Sequence, residues 1–342
     1  VAESARVRTR GWLPRTAGLL LGTLALAVAF IAAYVGALHD PRPHDLPVGF
    51  ALGDQRAAAV LSAVRGQTDT VKPVEYDDPG AADDGLKDRE VYGVLSSRPD
   101  GLLLTVASAS GPSATEAITQ VFTTAAQRNG TPLTVTDEVP VAPRDPRGVV
   151  PFYLNVGYVL GGYLASTVLG IGVGTTPRTL RRAGLRIAAL AVYSVLLGVA
   201  GALVVGPGLD IWNHDVLSIA AVGTLAVFAA AMIASAIQGW LGVLGTALVI
   251  LLLVVLGNPG SGGIFAPEFL PGAFRGMHLW NAPGLANDLT KSAVYFDWRS
   301  AGWPAAGLAL WAVVGAAGLL TAALVRGRRV TGTGRSAPSA DG

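Results

Sequence analysis

Residues 149–174 read VVPFYLNVGYVLGGYLASTVLGIGVG, with no Asp, Glu, Lys or Arg among them. About 20 such residues span the hydrocarbon core of a bilayer as a helix, and a charge at its centre is costly. Five further stretches read the same way: 17–38, 187–206, 216–237, 241–257 and 303–325. The fold class expected is therefore a polytopic α-helical membrane protein with six transmembrane helices. Stretch 17–38 is about twice as long as a signal-peptide apolar region, so it reads as a retained anchor.

Composition agrees. Of 342 residues, 51 % are hydrophobic and 14 % charged, mean hydropathy is +0.49, and soluble domains carry about 25 % charge. Such a chain cannot dress a soluble surface, which excludes a cytosolic enzyme and a disordered protein. There are no cysteines, and the four histidines stand at no helical metal-ligand spacing. No metal site and no cofactor in this chain are expected.

Arginine sets the expected orientation, because basic loops stay cytoplasmic. The tail 1–16 carries Arg6, Arg8, Arg10 and Arg15; the loop after the second stretch carries Arg178, Arg181, Arg182 and Arg186; the tail 326–342 carries Arg326, Arg328, Arg329 and Arg335. With six spans all three lie on one side, so both termini are expected inside, the last as a disordered tail. Segments 39–148 and 258–302 then lie outside.

Segment 39–148 holds 16 acidic and 10 basic residues, a water-compatible composition. It reads as a small extracytoplasmic α+β domain between helices one and two. Strands are expected at 46–52, 71–76, 91–97, 102–109 and 131–141, with helices at 54–65, 83–90 and from Pro112 to about Arg128. Arg98-Pro-Asp-Gly101 is a hairpin turn, Ser113-x-x-Glu116 a capping box, and Asn129-Gly130 a helix stop. The acidic run from Asp77 to Glu90 lacks EF-hand spacing and reads as a solvated face.

No P-loop, nucleophile elbow or zinc-protease motif is present, and nothing indicates nucleic-acid binding. The chain reads as a non-enzyme. Asn155, Tyr158 and Tyr163 in the second stretch are candidates to line a substrate path, with helix packing and an interfacial aromatic belt as the competing reading.

Segment 258–302 is rich in Gly and Pro and is too broken to span, which suits re-entrant or interfacial helices. It runs L-G-N-P-G-S-G-G through Gly263, then Pro267-Glu-Phe-Leu-Pro271, Pro283-Gly284, Asp288 and Tyr295-Phe296. This pattern resembles the C-terminal signature of the YhgE/Pip (phage infection protein) group of type-2 ABC transporter permeases. The layout resembles it too: one span, an outer domain, five more spans. Lys291 stands where the group has Arg, and the outer domain is shorter than in many members. The resemblance implies a motif made of Asn258, Pro259, Gly262, Gly263, Pro267, Pro271, Pro283, Gly284, Asp288 and Tyr295. It also implies that the Thr175–Arg186 segment couples the chain to an ATPase through Arg178, Arg181, Arg182 and Arg186. The basic Thr179–Leu185 stretch is expected as a short amphipathic helix on the inner surface.

The function expected is a permease subunit of an ABC-type exporter in the bacterial plasma membrane, moving an amphiphilic or lipid-like substrate. Its partners would be membrane lipid, a separate P-loop ATPase bringing ATP and Mg, and a second permease copy as homodimer or heterodimer. The alternative is a non-transporting scaffold or receptor whose outer domain binds an envelope component or phage.

Overall fold

The computed structural model describes residues 2–332. The chain is mostly helical, and among the described residues five helices are long and apolar enough to cross a membrane: Thr16–Leu38, Val150–Val173, Leu180–Gly208, Val216–Leu241 and Gly302–Arg326. The first belongs to α1 (Ala2–Leu38), which takes in nearly all of the expected 1–16 tail and carries Pro14 in its interior. Residues 326–332 are the last turns of α11 (Gly302–Gly332); the rest of the tail expected as disordered lies outside the described residues.

The fifth expected span, 241–257, is not one regular helix of full membrane length. Residues 241–257 form α8 (Val243–Ile250) followed by wide π turns at Leu251–Leu256. Its apolar helix, Leu244–Leu256, is about 20 Å long at 1.5 Å per residue, short of a 30 Å hydrocarbon core. Gly242 shortens it from one side. Its φ of 62° is open to glycine at little cost, and there the chain leaves α7 (Val216–Leu241) and turns into α8. Pro259 opens a 3-10 turn on the other side.

A second correction concerns the basic loop. Thr179 caps α6 (Leu180–Leu203), its hydroxyl accepting the Arg182 N–H at 3.2 Å. The third spanning helix therefore starts seven residues before the expected 187, and Thr179–Leu185 is its first turns rather than a separate surface helix. α6 passes into a π turn at Val204–Gly208, where Pro207 breaks the regular ladder.

Residues 46–137 build a five-stranded sheet in the order β2-β1-β3-β4-β5, with β1 Leu46–Ala51, β2 Val71–Tyr76, β3 Gly93–Arg98, β4 Gly101–Val106 and β5 Leu133–Asp137. The β1/β2, β1/β3 and β4/β5 pairs are parallel. β3/β4 is antiparallel and closed by Pro99-Asp100. Parallel strands need crossovers, and α2 (Gln55–Gln67), α3 (Pro79–Lys87) and α4 (Pro112–Asn129) supply them. Strand and helix thus follow one another in the order β-α-β-α-β-β-α-β.

Ala57, Leu61 and Val64 of α2 and Ala114, Ile118 and Phe122 of α4 share one core with the strands. Leu86 of α3 belongs to a separate core with Val91, Ala107 and Ala109. Asp78 caps α3, which starts at Pro79 rather than the expected 83. The capping box at Ser113 does not form. Gly111 is the N-cap, and the Ser113 hydroxyl accepts from Ala266 N–H at 3.2 Å instead.

α7 is the centre of the helical part, packed by α5 (Val150–Val173), α6, α10 (Ala282–Tyr295) and α11. Small residues let the helices approach. Gly198 of α6 lies against the α7 backbone, where an added Cβ would meet Thr224 N at 2.6 Å and Ala220 O at 2.7 Å. Neither contact can yield without moving a helix. Gly198→Ala is expected to cost about 1–3 kcal/mol by overpacking, read as a lower thermal midpoint of the detergent-solubilised chain.

Candidate functional site

The segment between α8 and α11 turns back into the protein. Tyr34 of α1 holds its start, its hydroxyl accepting from Asn258 Nδ2 at 3.1 Å. Pro259 and Pro267 each open a 3-10 turn, and Pro271 is the N-cap of the short helix α9 (Gly272–Met277). Asn281 caps α10 through the Gly284 N–H, with Pro283 in the first turn. α10 then lies against α5, α7 and α11. The glycines allow close approach: Gly263 faces the Phe152 ring, Gly284 faces the His278 carbonyl, and Gly262, at φ 66°, leaves room for the His278 ring.

This packing brings a cluster of charges to the boundary with the sheet. Asp288 of α10 is its hub. Its carboxylate accepts from Arg89 at 2.7 Å and from His278 Nε2 at 2.9 Å. Arg89 follows α3 in a left-handed turn (φ 61°), and its other arm donates to Asp288 O at 3.1 Å and Ser292 Oγ at 3.2 Å. The His278 Nδ1 lies 2.9 Å from Ser261 O, so both ring nitrogens face acceptors. One turn along α10, Lys291 is 5 % exposed and donates to Ser110 O at 2.9 Å. Tyr92 donates to Glu268 at 2.8 Å.

Burial works against charge on each group, and the neighbours decide the outcome. Burial alone would raise the Asp288 carboxyl, but His278 and Arg89 hold it far below the usual carboxylate range. For His278, burial pulls down and Asp288 pulls up, and the net shift is upward, toward imidazolium. Burial, reinforced by Arg89, brings Lys291 down to about 8 despite Asp288 and Glu268. Burial and the nearby Glu268 charge push the Tyr92 phenol well up. A cavity of about 440 Å³ lies against these groups and reaches Arg275, Ser300 and Trp303. The arrangement binds the sheet to the helices and presents fixed charge to a cavity.

Around the hub, Tyr295 accepts from Trp212 Nε1 at 3.2 Å and from Ala142 N–H at 3.3 Å. Arg299 reaches Asp84 at 3.0 Å and Asp88 at 3.3 Å, so part of the acidic run serves the same seam. No sequence pattern joins Arg89, Tyr92, Glu268 and His278. Arg89 and Asp288 are 199 residues apart, and a lone histidine in a Gly/Pro-rich stretch carries no periodic signal.

The other expected site residues fall elsewhere. Asn155 donates to Pro151 O and Thr290 Oγ1, both at 2.8 Å. Tyr158 is 2 % exposed and donates to Gly198 O at 3.1 Å, and Tyr163 is buried with it. In this structure all three are packing residues, not walls of an open path. Arg186 is also corrected: it is buried, its guanidinium donating to Gly174 O and Thr175 O at 3.1 Å and to Ser166 O at 2.7 Å. It satisfies carbonyls where α5 ends and offers no charge to a partner. Arg178, Arg181 and Arg182 are exposed.

Comparison with protein-family models, curated proteins and solved structures finds no match to this chain.

Removing one partner of a buried ion pair strands the others. Asp288→Ala is expected to cost about 3–5 kcal/mol in thermal or denaturant unfolding. Arg89→Leu combined with Asp288→Leu should cost clearly less than the two single losses added together.

Proposed function

We propose that this chain is the permease-type subunit of an ABC exporter in a bacterial plasma membrane, driven by an ATPase on another chain. One observation carries the reading: the chain is polarised along its helices. The sheet meets the helical part near the start of α5, through Asp145, whose carboxylate accepts from Val149 and Val150 N–H at 3.0 and 2.9 Å. Exposed Arg178, Arg181 and Arg182 come after the end of α5, and 24 helical residues span about 36 Å. That is a membrane's thickness, and arginine-rich loops favour the cytoplasm. The run 243–256 starts beside the arginine loop, where Thr176 Oγ1 donates to Gly239 O at 2.8 Å, and ends at Asn258 against Tyr34, near the end of α1 that leads to the sheet. It makes a sixth, shorter crossing, so the sheet is extracytoplasmic and both termini are inside.

The return of segment 258–302 among α5, α7 and α11 supports the same reading, since such backbone is tolerated at depth only where protein buries it. The apolar outer faces of α1, α5 and α6 suit lipid and a second permease copy, and an amphiphilic or lipid-like cargo suits walls with so little charge. ATP and Mg would enter only with the partner. Within this reading Arg181 is the docking charge. It lies on α6 away from the α5 side, and no carboxylate pairs with it among the described residues.

The test is purification from the native host after light cross-linking, with mass spectrometry of what co-purifies. A P-loop ATPase should appear in near-equal amount with the unaltered chain and fall at least about tenfold with Arg181→Glu, at an unchanged thermal midpoint. A charge reversal at one contact of a charged interface costs several kcal/mol, ample for that loss. Recovery of envelope proteins alone, or ATPase recovery indifferent to Arg181→Glu, would favour the scaffold.

A further inference from the structure

The four arginines after α5 part company in the fold. Arg186 turns inward to the end of α5, and Arg181 faces away. Arg178 and Arg182 turn to a groove of about 880 Å³ between the end of α5 and the start of α6. Its volume falls within the range of small-molecule sites.

The groove has two kinds of wall. Leu169 and Val173 of α5 face Leu185 and Ala189 of α6 across it. Arg182, Leu185, Arg186 and Ala189 recur at i, i+3, i+4 and i+7, one face of α6. Val173 is 74 % exposed and Leu185 63 %, so the apolar wall is open along the flank of the helices. The floor is the 174–177 turn, whose Gly174 and Thr175 carbonyls are held by buried Arg186. Its shape is therefore set by the fold and not by an occupant.

The polar rim is one-signed. Arg178 and Arg182 line the mouth, and among the described residues neither has a carboxylate within ion-pair distance. Among the described residues no acidic side chain lines the groove. The start of α6 adds the positive end of its helix dipole at the same place. A pair of free guanidiniums above an open apolar slot, at the end of a membrane-length helix, complements an anion carrying a hydrocarbon chain. Guanidinium forks match phosphate oxygens in geometry as well as charge.

We infer that this groove is a binding site for an anionic phospholipid. The phosphodiester sits between Arg178 and Arg182, and an acyl chain covers Val173 and Leu185 along α5 and α6. The site needs no ATPase, so it stands or falls apart from the export reading.

The experiment is native mass spectrometry of the full chain in mild detergent, titrated with phosphatidylglycerol or with phosphatidylcholine of the same chains. Phosphatidylglycerol should be retained in preference to phosphatidylcholine. Arg178→Gln with Arg182→Gln should reduce its retention about 25-fold, about fivefold for each guanidinium. Arg181→Gln, equal in charge lost per site but outside the groove, should leave retention within about twofold of the unaltered chain. Inorganic phosphate in millimolar excess should not displace the lipid, because the acyl chain carries part of the affinity. Equal retention of the two lipids would overturn the proposal. So would retention unchanged in the double variant at an intact thermal midpoint, an equal loss with Arg181→Gln, or displacement by phosphate alone. The preference between lipids is measured on the unaltered chain and so does not depend on any variant folding.

Discussion

The carboxylate of Asp288 accepts an arginine from the sheet side and a histidine from the returning segment, and the seam between the two halves of the protein is built on it. Each group would pay heavily for burial alone. Together they share charge, and the cost turns into a geometric requirement: α3, α9 and α10 must meet at one point. Lys291 and Tyr295 repeat the device along α10, reaching Ser110 O and Ala142 N–H in the sheet half. Phe269 and Ala266 in the core of the sheet, and Phe296 beside Leu86, add apolar contact across the same seam. The sheet is thus held at several points rather than hung from two linkers.

The helical half obeys a different constraint. Apolar flanks give helices little reason to prefer one another over lipid, so close packing and internal hydrogen bonds decide the arrangement. Alanines 226, 229, 230, 231 and 234 make α7 thin enough to be surrounded. Ser166 bonds to both Ser235 and Gln238 inside the bundle, and Arg186 closes the end of α5. An arginine can sit there because Gly174 O and Thr175 O, just past the end of α5, have no donor within the helix.

Long-period patterns were legible in the sequence. The five long helices and the strands at 46–51 and 71–76 stand close to where hydrophobic runs and alternation put them. The Gly130 stop is a left-handed C-cap, as Asn-Gly suggested. What failed to read through was set by tertiary partners. Ser113 resembles a capping residue but is taken by Ala266, and Arg186 resembles a surface charge but is drawn inward by the end of α5. Tyr158 and Asn155 resembled path residues because a polar group in a span signals function or packing equally well. Only their partners, Gly198 and Thr290, decide for packing. The Asp288 hub was half visible, since Asp288 stood in a motif while Arg89 and His278 stood in none.

All of the functional account rests on polarity across the membrane: the sheet outside, the arginine-rich end of α5 and α6 inside. The chain has no cysteine, so single ones report cleanly on side. Asp100 sits exposed at the β3–β4 turn and Arg181 exposed at the start of α6. Intact cells carrying Asp100→Cys or Arg181→Cys would be treated with a membrane-impermeant thiol reagent. The account predicts labelling at position 100 at once, and at position 181 only after the membrane is opened. Labelling at 181 in intact cells, with position 100 protected, would contradict it.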